Sequence, residues 1–524
     1  MNWTSFRKDK GIVIITIVSL SWIIFLIIMG CFASRDVTFY EVISQTDVTS
    51  QYTSTLPLTR YLFEPFSGIA FFMGEGYEII LTMIIIYAII RVIYIIIRKI
   101  NLIKSEKFEV LVLILRDYSL FIFKVFIFIV IGVAIFLGIG FAIYGFLFIN
   151  DFWMLAILTG MTIGFTLIIV KLAIIILKYY HPKMKLKIEA EQIPKHPIKK
   201  VLKITGIEAR YLAIFLLLFI GSNFLLLSTP VPTHQITTTL AEDEFLFDFH
   251  VHTYFSDAYL SPEERVQWYI AQGIDGAAFT DHENQRGYQR AIDYVNRKGL
   301  NFIVLRGEEY TYHSLDIHLN YFGINETIVP PDKDPSFGSI QLNVSDMIRY
   351  VKDRGGWVFV NHYSGPPGTP YTYENLSAWG VDGFEVINGG HQQALQIRQF
   401  CLDNNLTCIA GSDIHTNEEL NTVIKLRLED PTNLTDASIF ENLARNDHEA
   451  ILIRLYPNKI NFPISSDIFE VFEDFFNYLL NVNFFQILSW IIWSCIGYSL
   501  LIIVYTRIKR ANLKKIRDKI EIID

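Results

Sequence analysis

The stretch Phe245-Leu-Phe-Asp-Phe-His-Val-His-Thr253 decides how the second half of this chain folds. Phe245–Phe249 is apolar except for Asp248 and reads as a buried strand. It runs directly into His-X-His. In extended chain, side chains two residues apart point the same way, so His250 and His252 can grip one ion. Further short elements follow in alternation. Pro262–Gln272 reads as a helix, with Ser261 as its N-cap and Glu264 closing a capping box. Ala277–Thr280, Phe302–Leu305, Trp357–Val360, Phe384–Ile387 and Cys408–Ala410 read as strands; Gly287–Arg297, Val344–Asp353 and Gln392–Leu402 read as helices. Alternating β and α units predict an α/β domain, a parallel sheet covered by helices and closed as a barrel.

Polar residues follow the strands. Asp281 and His282 come after the second strand, Glu308 and Glu309 after the third, His362 after a later one, and Asp413 and His415 after another. The carboxy-terminal ends of barrel strands meet at one mouth, so these residues are expected to converge. Eight of the 12 histidines lie between Phe245 and Asp430, which makes metal binding the expected chemistry. Imidazole nitrogen and carboxylate oxygen suit Zn, Mn or Fe, and a carboxylate such as Glu308 can bridge two ions. Asp248 reads as a support for the neighbouring histidines. Asn361 and Arg286 are either substrate contacts or solvated polar residues. His313 and His391 match no strand end and stay unassigned.

The ordered motifs resemble the PHP family, named for polymerase and histidinol phosphatase. They are Asp248-Phe-His-Val-His-Thr253 with Ser256-Asp257, Thr280-Asp281-His282, Gly307-Glu308-Glu309 with Ile317-His318, Val360-Asn-His362, and Gly411-Ser-Asp-Ile-His415. The resemblance covers roughly Phe245 to Leu455. It implies a distorted seven-stranded (β/α) barrel holding two or three divalent metal ions. It places the ligands at His250, His252, Asp257, His282, Glu308, His318, His362, Asp413 and His415. One ion would take His250, His252, Glu308 and Asp413; a second Glu308, His318 and His362; a third Asp257, His282 and His415. Glu308, Asp413 and His415 would be the catalytic residues. The implied reaction is hydrolysis of a phosphate ester by a metal-activated hydroxide. Tyr363 and the loop Ser364–Pro370 depart from the family pattern, which leaves the choice of substrate open.

The rest of the chain is apolar. The hydrophobic fraction is 52 % of 524 residues, as expected for a membrane protein. Six segments approach the length that crosses ~30 Å of hydrocarbon: Ile12–Phe32, Ile79–Ile97, Val125–Ile149, Phe152–Leu177, Tyr211–Ser228 and Phe484–Tyr505. Lysine and arginine crowd alternate connections, chiefly Lys183–Arg210 and the tail Arg507–Lys519. The positive-inside rule then puts both termini in the cytoplasm and the metal-site domain outside. Sequons at Asn325, Asn343, Asn375, Asn405 and Asn433 all fall in that outer domain. Ile28-Met29-Gly30-Cys31 also resembles a lipoprotein cleavage site, a reading that would leave the later topology unchanged. The organisation expected is a membrane domain with five crossings over 1–228, a linker over 229–244 and the metal-site domain over 245–460. An amphipathic helix over 461–483, a sixth crossing over 484–505 and a basic cytoplasmic tail over 506–524 complete it. The amphipathic helix is either the last helix of the barrel or a helix lying at the membrane interface.

The net charge of −8 argues against nucleic-acid binding. The expected partners are a lipid membrane and a phosphate-ester substrate such as a nucleotide, a sugar phosphate or a lipid headgroup. The alternative is a receptor or transporter whose barrel binds a phosphorylated ligand without turnover. Cys401 and Cys408 are close enough in sequence to pair in an oxidising compartment, or to be free buried thiols.

Overall fold

Strands buried on both faces build this domain around one wide sheet. The computed structural model describes residues 10–73, 106–144, 146–180, 210, 214, 217, 221, 229, 233–335, 338–460 and 467–520. The expected crossing Ile79–Ile97 and most of Tyr211–Ser228 lie outside the described residues, as does most of the basic connection after Lys183.

The chain begins with α1 (Lys10–Phe32), strands β1 (Thr38–Glu41), β2 (Thr46–Asp47) and β3 (Tyr52–Thr55), and helix α2 (Leu58–Met73). Two long helices follow, α3 (Glu106–Tyr144) and α4 (Phe146–Tyr180). Then come β4 (Gln235–Thr238), β5 (Glu244–Val251), α5 (Pro262–Gln272), β6 (Gly276–Phe279), α6 (Arg286–Lys298), β7 (Ile303–Tyr312) and β8 (Ile317–Phe322). Next are β9 (Ile328–Val329), β10 (Ile340–Gln341), α7 (Val344–Lys352), β11 (Trp357–Val360), α8 (Tyr373–Trp379), β12 (Gly383–Asn388) and β13 (His391–Gln392). The domain finishes with α9 (Leu395–Asp403), β14 (Thr407–Gly411), β15 (Thr422–Arg427), α10 (Asp436–Leu443) and β16 (His448–Arg454). Helices α11 (Asp467–Leu480) and α12 (Phe484–Ile520) end the described chain. Helix α5 starts as its sequence predicts, with Ser261 and Glu264 forming a reciprocal capping box.

The sheet has 12 strands in the order β13-β12-β11-β8-β7-β6-β5-β15-β16-β1-β2, with β14 paired to β12. It is mixed, where the sequence pattern suggested a parallel sheet. Strands β5, β6 and β7 are parallel, but β8 turns back antiparallel on β7. The far edge of β5 is divided between two partners. Its first half pairs antiparallel with β15, while Val251 bridges Ile414 beyond the end of β14. Strands β15, β16, β1 and β2 therefore extend the sheet past β5, while the Val251–Ile414 bridge joins β5 to the residues that follow β14. Successive residues of β5 feed two cores: Phe247 and Phe249 join one, Leu246 and Val251 the other.

Residues 34–55, placed by sequence in the membrane domain, pack with this domain: β1 and β2 extend the large sheet, and β3 forms a separate two-stranded sheet with β4. Strand β1 pairs with β16, and β3 pairs with β4. The Phe39 and Tyr52 rings stack at 5.0 Å within the core that also holds Leu246 and Tyr269.

Among the described residues, three helical stretches are long and apolar enough to cross a membrane: Ile15–Phe32, Lys124–Ile143 and Phe484–Ile503. The stretch Leu155–Lys171 is apolar but shorter. Their outer faces expose large apolar side chains, among them Val18, Phe128, Ile169 and Leu500, which call for an apolar solvent. Helices α1 and α12 run antiparallel. Thr16 Oγ1 lies 2.9 Å from Tyr498 Oη, and Trp22 Nε1 donates to Ser494 Oγ at 2.9 Å. Helix α11 packs on this pair and not on the sheet. Phe475 stacks on Trp22, and Phe476 meets Phe25 edge-on. A buried polar chain ties α2 to the domain. Arg60 Nε lies 3.0 Å from Glu64 Oε2 and Arg60 Nη2 lies 3.3 Å from Glu419 Oε1. Tyr478 donates to Glu64, and Tyr456 donates to Glu419 at 3.0 Å.

If residues 34–55 are part of the domain core, Phe39→Ala removes a buried ring and costs about 3–5 kcal/mol. Thermal unfolding of the purified full-length protein, followed by intrinsic fluorescence, should show the domain transition moving down. An unchanged transition would mean that β1 only decorates the sheet.

Candidate metal centre

Glu309 is the hub of the site. Strand alternation sends Glu309 and Thr311 to one face of β7 and Glu308 to the other. Glu309 is buried, and its Oε2 stands 3.3 Å from His250 Nε2, 3.2 Å from His252 Nε2 and 3.0 Å from His282 Nδ1. Its Oε1 stands 3.0 Å from His318 Nδ1 and 3.5 Å from His362 Nε2. Glu309 Oε2 accepts no well-directed hydrogen bond from this ring of nitrogens. Nitrogens and oxygen thus face shared points more than each other.

Three groups have ligand atoms close enough to share an ion: His252, Asp257, His282 and His415; His250, His252 and Asp413; Glu309, His318 and His362. In each group the atoms lie within 4.8 Å of one another. Eight of the nine residues expected from the sequence are brought together. Glu308 is the exception. Its Oε1 accepts from the Ile328 backbone N–H at 3.1 Å, on the opposite face from the histidines. Burial pushes its carboxyl well above the usual carboxylate range. The role expected for Glu308 falls by geometry to its neighbour Glu309. Two adjacent glutamates at a strand end gave no basis for choosing until the register of β7 was known.

Supporting contacts aim the imidazoles. His250 Nδ1 meets Glu385 Oε1 at 2.8 Å, which leaves Nε2 facing His252 and Asp413. His282 Nδ1 lies 2.6 Å from Thr311 Oγ1, and His415 Nδ1 lies 2.7 Å from the Asp413 carbonyl oxygen. Their Nε2 atoms face Asp257 at 3.4 and 3.1 Å. Glu385 was missed by the sequence reading. A lone acidic residue inside the apolar strand Gly383-Phe-Glu-Val386 was the available signal, since a buried carboxylate requires a partner.

Other polar residues are structural. Asp248 accepts from Tyr269 Oη at 2.6 Å and from the Ser412 N–H at 3.0 Å. Asp281 accepts from the Thr253 N–H and from Ser256 Oγ, fixing the loop that carries Asp257. Asn361 donates to Glu309 Oε1 at 2.9 Å, so it orients the hub. Arg286 lies over the Phe255 and Phe152 rings, the latter on α4. His313 sits 5.7 Å from His318, ring to ring, while His391 is exposed on β13. Asp413 holds a left-handed backbone, φ +52°, of order 1–3 kcal/mol of strain that its surroundings must hold in place. The Asp413 N–H donates to the His250 carbonyl at 2.9 Å, which is part of that restraint.

Electrostatics show what the cluster demands. Burial would lower the pKa of His250, yet Asp413, Glu385 and Glu309 outweigh it and raise the value well above normal. The same contest raises His282 to about 10 through Glu309 and Asp257, and His415 to about 9 through Asp257 and Asp413. Against their own burial, Asp257, Glu309 and Asp413 are held well below the carboxylate range by these histidines. Buried carboxylates in this number require compensating positive charge. Divalent cations bound among these residues would supply it. The N/O donor set fits zinc, manganese or iron.

The chain carries a PHP domain: residues 248–355 match the model of that family. Among curated proteins nothing matches the chain. Similar solved structures include a two-domain protein of Bacteroides vulgatus described as containing a predicted PHP-like metal-dependent phosphoesterase. It is 23 % identical, with 40 % of this chain and 64 % of that chain covered and a TM-score of 0.33. This chain thus spans less than two thirds of that protein's length. Another is a protein of Bifidobacterium adolescentis described as a metal-dependent phosphoesterase, 18 % identical, covering 38 % and 96 % of the two chains at a TM-score of 0.28. A third, an amidohydrolase from Chromobacterium violaceum with bound sulfate and no metal, is 18 % identical over 32 % and 87 % at 0.25. Likenesses of this size say nothing about activity.

The two glutamates can be told apart. Glu309→Gln should lose most bound metal by elemental analysis, because an amide nitrogen replaces one oxygen of a carboxylate whose two oxygens face five imidazoles between them. Glu308→Gln should keep its metal, because its side chain faces away from the histidines. Equal loss in both variants would contradict the register-based assignment. Gly411→Ala is a second probe. A Cβ there would lie 2.2 Å from His250 Cβ and 2.6 Å from Glu385 Oε1. The variant should bind metal more weakly while keeping the fold, read by titrating metal into the chelated protein.

Proposed function

We propose that this protein is a membrane-anchored phosphoesterase whose PHP domain lies on the extracytoplasmic face and hydrolyses the phosphate ester of a nucleotide, a sugar or a lipid headgroup. The observation that carries the reading is the convergence of Glu309, Asp257, Asp413 and six histidines on three adjoining ligand groups. Divalent ions held there would polarise the phosphoryl group and lower the pKa of a coordinated water.

The chain's own residues have separable tasks. Glu385 keeps the His250 ring turned so that Nε2 faces the site. Asn361 holds the Glu309 carboxylate. Asp413 and His415 follow the end of β14 and are partly exposed, so they can meet substrate. His362, also partly exposed, borders the same opening with the Tyr363 loop beside it.

The membrane placement draws on several features. Helices α1 and α12 both join the domain at their inner sequence ends, Phe32 and Phe484, so one antiparallel pair anchors it from one side. Arg286 touches Phe152 near the start of α4, which supports the α3–α4 connection facing the domain. The basic tail Arg507–Lys519 lies at the far end of α12, as expected for a cytoplasmic end. The packing of α11 on α1 and α12 keeps the domain at the membrane surface, which favours a lipid-linked ester.

The purified full-length protein, supplied with Mn²⁺ or Zn²⁺, should hydrolyse members of a phosphomonoester and phosphodiester panel. Chelation should bring the rate to background, and metal should restore it. Binding of phosphorylated compounds with no turnover under any metal would establish the receptor or transporter alternative. Protease added to sealed, right-side-out vesicles should attack the domain and spare the Arg507–Lys519 tail; cleavage of the tail would overturn the placement.

A further inference from the structure

The connection from β14 to β15, residues 412–421, carries Asp413 and His415. Helix α5 grips one side of it. Arg265 Nη2 donates to the Ile414 carbonyl and Trp268 Nε1 to the Asn417 carbonyl, both at 3.4 Å, and the Leu420 N–H donates to Gln272 Oε1 at 3.1 Å. The other side meets chain from the membrane-proximal region. His234 Nε2 lies 3.1 Å from the Leu420 carbonyl oxygen, and Arg60 of α2 pairs with Glu419 at 3.3 Å. Asp413 itself sits at φ +52°, a conformation that its surroundings must hold.

Helix α2 is inside out for a helix facing water. Arg60, Glu64 and Ser67 are buried against the protein, while Leu58, Leu62, Phe63 and Phe66 are 74, 55, 45 and 39 % exposed. A surface helix in water shows the reverse order. The helix also lies along the start of α12. Asn483 Nδ2 donates to Tyr61 Oη at 3.1 Å, and the Tyr61 and Phe485 rings meet edge-on. Further along, Phe66 meets Trp493 edge-on at 5.0 Å, and Trp493 Nε1 donates to the Leu62 carbonyl at 2.6 Å. From Asn483 to Trp493, α12 advances about 15 Å, half of a ~30 Å hydrocarbon layer. That stretch falls within Phe484–Ile503, which is long and apolar enough to cross a membrane. The outward face of α2 is thus continuous with the apolar surface of a crossing helix, and the occupant it calls for is lipid.

We propose that α2 enters the bilayer beside α12 with Leu58, Leu62, Phe63 and Phe66 against lipid, and that Arg60 on its buried face is a positioning residue for Asp413 and His415. The proposal rests on the membrane anchoring and the metal site described above. Lipid holds α2 at a fixed depth. Arg60 then fixes Glu419, four residues beyond His415, while α5 holds the opposite side of the same connection. Two of the residues in the metal groups are therefore placed by a helix that is itself placed by the membrane.

The test uses full-length protein reconstituted in phosphatidylcholine vesicles. An apolar carbene-generating photoprobe dissolved in the bilayer should label α2 at Leu62, Phe63 or Phe66 as well as α12, read by mass spectrometry of proteolytic peptides. Label in α12 with none in α2 would overturn the proposal and leave the anchoring standing; label in neither would overturn the anchoring itself. Mn²⁺ or Zn²⁺ titrated into the chelated protein reads the positioning role. Arg60→Met should weaken binding roughly 10-fold or more, as loss of a support behind metal ligands does, and Arg60→Lys, which keeps the charge, should recover most of it. Glu419→Gln keeps the side-chain shape and should weaken binding in the same direction, which keeps the test decisive if Arg60→Met does not fold. A lower melting temperature with unchanged metal affinity in these variants would make the junction a fastening only and overturn the positioning role. Wild-type protein that takes up no metal would overturn the site reading on which the proposal rests.

Discussion

A single carboxylate, that of Glu309, has five imidazoles within 3.5 Å. A buried charge of this kind persists only when its partners are fixed. Most of the domain's polar architecture does the fixing. Asn361 holds Glu309 itself, Glu385 turns His250, Thr311 meets His282, and Asp281 anchors the loop that presents Asp257. Each of these supports sits at or near the end of a different strand. The sheet order thus follows from a requirement that separate strand ends deliver nitrogen and oxygen to one volume.

That requirement also explains the mixed sheet. The short connection from β7 to β8 brings His318 back beside Glu309, with Thr311 opposite His318 in the register. A parallel crossover would have carried the chain around through a helix before returning. On the other side, β5 gives half its edge to β15 and lets the Asp413 loop take the remainder. The division of the β5 edge and the delivery of two candidate ligands are the same feature of the chain.

The apolar helices are joined to this centre more closely than a tether would be. Strand β1, just after the first apolar helix, extends the sheet that carries the metal-site residues, and α2 reaches Glu419 through Arg60. Glu419 lies four residues beyond His415 in the same loop. Displacement of α2 against the domain would therefore be felt where Asp413 and His415 are held. The buried Arg60–Glu64–Tyr478 contacts make that junction costly to break, since separating the partners would strand charge away from water.

Much was legible from residue order alone. His-X-His after an apolar strand fixes a shared direction for two side chains whatever the fold, and a capping box fixes a helix start, because both depend on local geometry. Segments rich in Ile, Leu and Phe declared their need for an apolar environment in the same way, and α1, α3 and α12 meet it by length and composition. What sequence could not decide were relations between distant elements. The choice between Glu308 and Glu309 depends on which face of β7 meets the histidines. The role of Glu385 depends on β12 lying near His250. The membership of β1 in the sheet depends on β16 leaving an edge for it, and the lodging of α11 on α1 and α12 depends on where those two helices emerge. None of these is written in periodicity, because strand pairing and burial are set by contacts hundreds of residues apart, and only the tertiary structure brings the two sides together.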